Sequence, residues 1–127
     1  MNINHIAINC INITKIEQFF VKYFNAHNIA NYHNPRTGLH SCMLSFDNGA
    51  RLELMNWPDM EEHKQISKMQ GLVHLSISVG SKEKVDELTK RFISDNYCCT
   101  SCPRTTGDGY YESCIIGEEN LIIEITI

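Results

Sequence analysis

The 127-residue chain has no apolar run approaching the roughly 20 residues that a bilayer-spanning helix needs, which excludes a helical membrane protein. Its start, Met1-Asn2-Ile3-Asn4-His5, has no basic segment followed by an apolar stretch. No secretory signal is therefore expected, and a cytoplasmic location is. Basic residues are not in excess. Eleven Lys and Arg against 15 Asp and Glu give a net charge of −4, which argues against a dedicated nucleic-acid binder. Apolar residues are not scarce either: 43% hydrophobic against 20% charged excludes a disordered or collagen-like chain. The length suits one domain, or two half-size units sharing one core. Without an export signal, the six cysteines are expected as reduced thiols rather than three disulfides.

What the chain does contain is an internal repeat. His5-Ile6-Ala7-Ile8-Asn9 returns as His74-Leu75-Ser76-Ile77-Ser78. Pro35-Arg36-Thr37 returns as Pro103-Arg104-Thr105, Ser41-Cys42 as Ser113-Cys114, and Leu52-Glu53-Leu54 as Ile123-Glu124-Ile125. The matches keep one order at offsets of 68 to 72 residues, which is the signature of a duplicated unit. One domain over 1–127 is therefore expected, with module one at 3–57, a polar linker at 58–71 and module two at 72–127.

Both modules share one pattern. Residues 3–10 alternate, with Ile6, Ile8 and Cys10 on one face and His5, Ala7 and Asn9 on the other, as in a strand. Thr14-Lys15-Ile16-Glu17 has the form of a capping box. Ile16, Phe19, Phe20, Tyr23 and Phe24 then follow helical spacing, predicting a helix over 14–26. In module two, Leu75, Ile77 and Val79 alternate with His74, Ser76 and Ser78. Ser81 is the expected N-cap of a helix with Val85, Leu88, Phe92 and Ile93 as its apolar stripe. Three strand-like runs follow each helix, at 28–33, 40–46 and 50–57 and at 97–102, 110–116 and 121–127. Asn48-Gly49 and the segment from Gly117 to Asn120 are the expected last turns. The fold class is α+β, with two tandem βαβββ modules.

Strand parity locates the chemistry. Leu52 and Leu54 share one face, while Arg51, Glu53, Met55 and Trp57 share the other. Ile123, Ile125 and Ile127 share one face, while Ile122, Glu124 and Thr126 share the other. Each module thus carries a His on the less apolar face of its first strand and a Glu on that face of its last. Were two such units to pair by these faces, His5, Glu53, His74 and Glu124 would meet. Two imidazoles and two carboxylates suit a divalent metal: zinc or nickel first, with iron, cobalt or manganese also accommodated. The remaining histidines, His27, His33, His40 and His63, have no counterpart in the repeat and are expected at the surface, in helix ends, loops or the linker.

The segments His5-Ile6-Ala7-Ile8, Gly49-Ala50-Arg51-Leu52-Glu53-Leu54-Met55, Gly71-Leu72-Val73-His74-Leu75-Ser76 and Ile122-Ile123-Glu124-Ile125 resemble the vicinal oxygen chelate superfamily. That superfamily includes glyoxalase I, bleomycin-resistance proteins, extradiol dioxygenases, fosfomycin-resistance enzymes and methylmalonyl-CoA epimerase. The resemblance covers essentially the whole chain. It implies two βαβββ modules forming a half-open barrel around a central groove with a divalent metal. The order His, Glu, His, Glu resembles glyoxalase I most. Asn9 stands where such enzymes carry an Arg for glutathione, and Gly117-Glu118-Glu119-Asn120 replaces their Asp-Pro-Asp-Gly turn.

The resemblance implies a lyase or isomerase acting on a small metabolite with adjacent oxygens, of the 2-oxoaldehyde hemithioacetal class, through a metal-stabilised enediolate. Glu124 is the first candidate for the base and Glu53 the second, acting on the opposite face. Asn9, Arg51, Met55, Trp57, Ser76, Ser78 and Tyr111 are candidates for lining the groove. The alternative is a non-catalytic protein that binds a drug or metabolite there, as bleomycin-resistance proteins do. Relatives of this kind usually pair, so a homodimer is expected.

Several features are expected to be structural. Arg36 and Arg104 belong to the repeated Pro-Arg-Thr turns, and the glycine-containing 105–111 is read as a plain strand connection, with a loop covering the groove as the alternative. Cys10, Cys42 and Cys114 are small core residues. Cys99-Thr100-Ser101-Cys102 has C-x-x-C spacing, but no second copy completes a zinc site and no helix start follows to lower a thiol pKa. On an extended strand, its two thiols are expected on opposite faces.

Overall fold

The computed structural model describes residues 1–47, 49–61 and 70–127. It divides into two compact units, Met1–His63 and Lys64–Ile127. Asn48 of the expected turn, most of the expected linker and His63 lie outside the described residues. No helix among the described residues is long and apolar enough to cross a membrane.

The first unit runs β1 (Ile6–Asn9), α1 (Ile13–Phe24), β2 (His27–His33), β3 (His40–Ser45) and β4 (Arg51–Asn56). The sheet order is β1-β4-β3-β2. β1 lies parallel to β4, and β4-β3-β2 form an antiparallel meander. The helix forms because Ile16, Phe19, Phe20 and Tyr23 bury together on one side. They pack over Leu44, Leu52 and Leu54, all at most 4% exposed. Full burial of a ring such as Phe20 is worth about 2–3 kcal/mol. The start of α1 differs from expectation. Asn12 is the N-cap, its side chain accepting from Lys15 N at 3.0 Å. Thr14 already lies inside the helix, and Glu17 turns instead to Asn28 Nδ2 at 2.9 Å.

The second unit repeats the plan with β5 (Leu75–Ser78), α2 (Lys82–Ser94), β6 (Cys98–Thr105), β7 (Tyr111–Ile116) and β8 (Ile122–Thr126), in the order β5-β8-β7-β6. Ser81 caps α2 as expected. The helix buries Val85, Thr89 and Phe92 over Ile115, Ile123 and Ile125. Ile93, expected in the stripe, is 49% exposed. Its place is taken by Thr89, whose hydroxyl meets that of Ser113 on β7 at 2.6 Å and donates to Val85 O. A buried polar pair of this kind is tolerated because both hydroxyls find partners.

The two Pro-Arg-Thr segments part company. Pro35–Thr37 is a turn, but Pro103–Thr105 is the end of β6. Pro103 is accommodated because the register shifts between Ser101 and Arg104, and a bulge is where a residue without an N–H can sit in a strand. The 106–110 connection is a short turn closed by Thr106 N to Tyr110 O at 2.8 Å. The turn before β8 is a single 3-10 turn, Glu118–Asn120, with Glu119 and Asn120 at positive φ. His27, His33 and His40 are exposed but lie on β2 and β3 rather than in loops.

Candidate functional site

In each unit the helix covers one face of the sheet and the repeated His and Glu occupy the other. On β4 the buried Leu52 and Leu54 alternate with the half-buried Arg51, Glu53 and Met55. On β8 the buried Ile123 and Ile125 alternate with Ile122 and Glu124. His5 and His74 stand immediately before β1 and β5. Parallel pairing sets Ala7 against Glu53 and Ser76 against Glu124, so each His lies diagonal to its Glu on one face.

The side chains meet accordingly. His5 Nε2 lies 3.4 Å from Glu53 Oε2, and His74 Nε2 lies 3.6 Å from Glu124 Oε2. Two ligands about 2.0–2.2 Å from one tetrahedral ion stand about 3.3 Å apart, so each pair has the spacing of two donors on a common cation. The supporting contacts favour that use. Nδ1 of His5 is 2.9 Å from Asn4 Oδ1; a proton there leaves the Nε2 lone pair facing the carboxylate. Two acceptors face to face call for a proton or metal between them. Glu124 Oε1 accepts from the Ser76 hydroxyl at 2.6 Å, which leaves Oε2 for His74. Among the described residues, no group of three or more His, Cys, Asp and Glu side chains is gathered to hold a metal. Each unit brings together one His and one Glu.

The groove candidates divide. Asn9 is the register partner of Met55, on the Glu53 face. Arg51 donates through Nε to Asn4 O at 3.2 Å, and so braces the segment that carries His5. Trp57 follows β4 and is 39% exposed. Ser76 and Ser78 alternate with Leu75 and Ile77. Tyr111 does not join them. Its hydroxyl donates to Asp86 of α2 at 2.8 Å, and Lys82 lies over its ring. On β7 it shares the parity of Ser113 and Ile115, which face the helix.

The opposite parity on β7 places two unexpected groups beside Glu124. Cys114 is its direct register partner and only half-buried, not a core residue like Cys10 and Cys42. Glu112 shares the parity of Cys114 and lies close enough to feel the Glu124 charge. Partial burial, followed by the Glu124 charge, raises its pKa, while Arg104 opposes the shift. The alternation Glu112, Cys114, Ile116 was available in the sequence to reveal both. A cavity of about 480 Å³ lies elsewhere, between Asn12 and Thr14 at the start of α1 and Asn31, His33 and His40. None of the first unit's site residues lines it.

The model of the Glyoxalase/Bleomycin resistance protein/Dioxygenase superfamily matches residues 2–124. The chain belongs to this superfamily. A curated relative, the uncharacterized protein YwkD of Bacillus subtilis, is 32% identical over 93 residues, which is 72% of this chain and 73% of that protein. Among solved structures, a glyoxylase/bleomycin resistance protein/dioxygenase domain from Frankia superposes with a TM-score of 0.84 at 14% identity, covering 100% of this chain and 97% of that one. A mutant of the fosfomycin resistance protein FosX from Listeria monocytogenes, complexed with Mn(II) and 1S,2S-dihydroxypropylphosphonic acid, gives 0.73 at 17% identity, covering 98% and 90%. At these identities, the superfamily members of known structure share the fold with this chain.

Proposed function

We propose that this superfamily member is a divalent-metal-dependent lyase or isomerase of the glyoxalase kind, acting on a small metabolite with adjacent oxygens. The hemithioacetal of a 2-oxoaldehyde represents the class. The observation that carries this reading is the matched pair: the same His–Glu approach, at 3.4 and 3.6 Å, on the open face of both repeats. The FosX complex, in which Mn(II) accompanies a vicinal diol, lends support from a protein of like fold.

In this proposal His5, Glu53, His74 and Glu124 hold one zinc-class or nickel-class ion, two donors from each module. The ion supplies Lewis-acid stabilisation of negative charge on the substrate oxygens. The chain does the rest. Glu124 takes the proton from one carbon and returns it to the neighbouring carbon. The Ser76 hydroxyl holds Oε1, so Oε2, the oxygen facing His74, would detach from the ion to move the proton. Glu53, opposite Ala7 and so without such a hydroxyl, acts on the other face. Arg51, Met55, Trp57 and Asn9 line the substrate's path, with Arg51 suited to an anionic group. The chain acts as a homodimer in the cytoplasm. Every residue of the edge strand β2 is exposed, which suits cover by a second copy.

The test is turnover. Metal-loaded protein is offered methylglyoxal with a panel of low-molecular-weight thiols, and loss of hemithioacetal is followed. Conversion that falls by at least two orders of magnitude in Glu124→Gln supports the reading. Tight binding without conversion across the panel contradicts it.

A further inference from the structure

The C-x-x-C segment does not behave as an ordinary strand. From Cys99 to Arg104, β6 takes five steps while its partner β7 takes three, from Ile115 to Glu112, with register shifts on both sides of Ser101. Two extra residues break the alternation that would set Cys99 and Cys102 on opposite faces. Cys102 instead lies close enough to Cys99 to add to the effect of burial in raising its pKa. Cys102 is exposed, Cys99 is half-buried, and both are free. β6 is the outer strand of its sheet, so the bulged segment has a backbone neighbour on one side only within its sheet.

We propose that Cys99 and Cys102 form a redox-sensitive dithiol that closes to an intramolecular disulfide on exposure to hydrogen peroxide. The exposed Cys102 thiolate attacks a peroxide oxygen; an S–O bond forms, the O–O bond breaks, and hydroxide leaves. Cys99 gives its proton to that hydroxide and attacks the Cys102 sulfur. The S–S bond forms, the S–O bond breaks, and the oxygen departs as a second water with a solvent proton. Two thiols lose two electrons, one peroxide gains them, and two waters result. The order of attack follows from the environment. Cys102 is exposed and meets the oxidant first, while Cys99 is half-buried, and burial raises its pKa.

Peroxide treatment of the full chain, blocking of the remaining thiols, and trypsin digestion place Cys98, Cys99 and Cys102 in one peptide, residues 92–104. The expected product is that peptide lighter by two hydrogens, in a chain that stays uncross-linked. Cys98→Ser retains the bridge, Cys99→Ser and Cys102→Ser each abolish it, and dithiothreitol reverses it. A bridge that survives Cys99→Ser or Cys102→Ser overturns the proposal. So does oxidation that yields only sulfinic or sulfonic acid, or only cross-links between chains.

Discussion

The Ser76 hydroxyl donates to Oε1 of Glu124 at 2.6 Å, while the other oxygen of that carboxylate faces His74 at 3.6 Å. In the first module Ala7 occupies the matching position against Glu53. The two carboxylates therefore differ in freedom although they stand at equivalent places in the repeat. Ser76→Ala is expected to weaken metal binding about 10-fold, the usual scale for losing a group that orients a ligand. Calorimetric titration with zinc or nickel measures it, and unchanged affinity removes Ser76 from the site.

Asn12, not Thr14, satisfies the first amides of α1. Asn12→Ala is expected to cost about 1 kcal/mol, and Thr14→Ala well under half of that. Urea unfolding midpoints of the two variants make the comparison. A larger loss from Thr14→Ala contradicts the assigned cap.

Cys42 is buried at 1% exposure, and its pKa is raised from 9.0 to about 11, first by burial and then by Glu17. A raised folded-state pKa contributes stability that is fully present below pH 9 and lost as pH rises through 11. The loss has an upper bound of about 3 kcal/mol for a shift of this size. Between those pH values the native chain should lose stability relative to Cys42→Ala, as read from denaturant midpoints. Parallel pH profiles for the two chains contradict the assignment. At neutral pH, Cys42 should resist alkylation in the folded state.

The duplicated plan was legible because each sheet buries one face under a helix. That burial forces alternation on residues such as Leu52, Glu53 and Leu54, and it makes the repeat visible through scattered matches. The His and Glu positions followed from the same parity. What escaped depends on departures from regular geometry. Two register shifts in β6 defeat the rule that residues three apart face opposite ways, so the sequence spacing of Cys99 and Cys102 does not fix the faces they take. Pro103 reads as a turn residue until the bulge that accommodates it is seen. Tyr111 looked like a groove residue by its chemistry, but its parity with Ser113 and Ile115 turns it to Asp86. Glu112 and Cys114 were hidden for the opposite reason. Their strand shows the needed alternation, but the repeat matched Cys114 to Cys42, which pairs with the buried Leu54 rather than with Glu53, and no match included Glu112.

The central claim is that the two His–Glu pairs act together on one ion. It is tested most directly by metal content, measured by mass spectrometry on protein purified without added metal and again after equilibration with zinc, nickel or manganese. The expected result is one divalent ion per chain, lost in Glu53→Ala and equally in His74→Ala, one variant from each module, with both variants still folded by circular dichroism. Protein that stays metal-free after equilibration, or that keeps its full complement when either pair is broken, contradicts it.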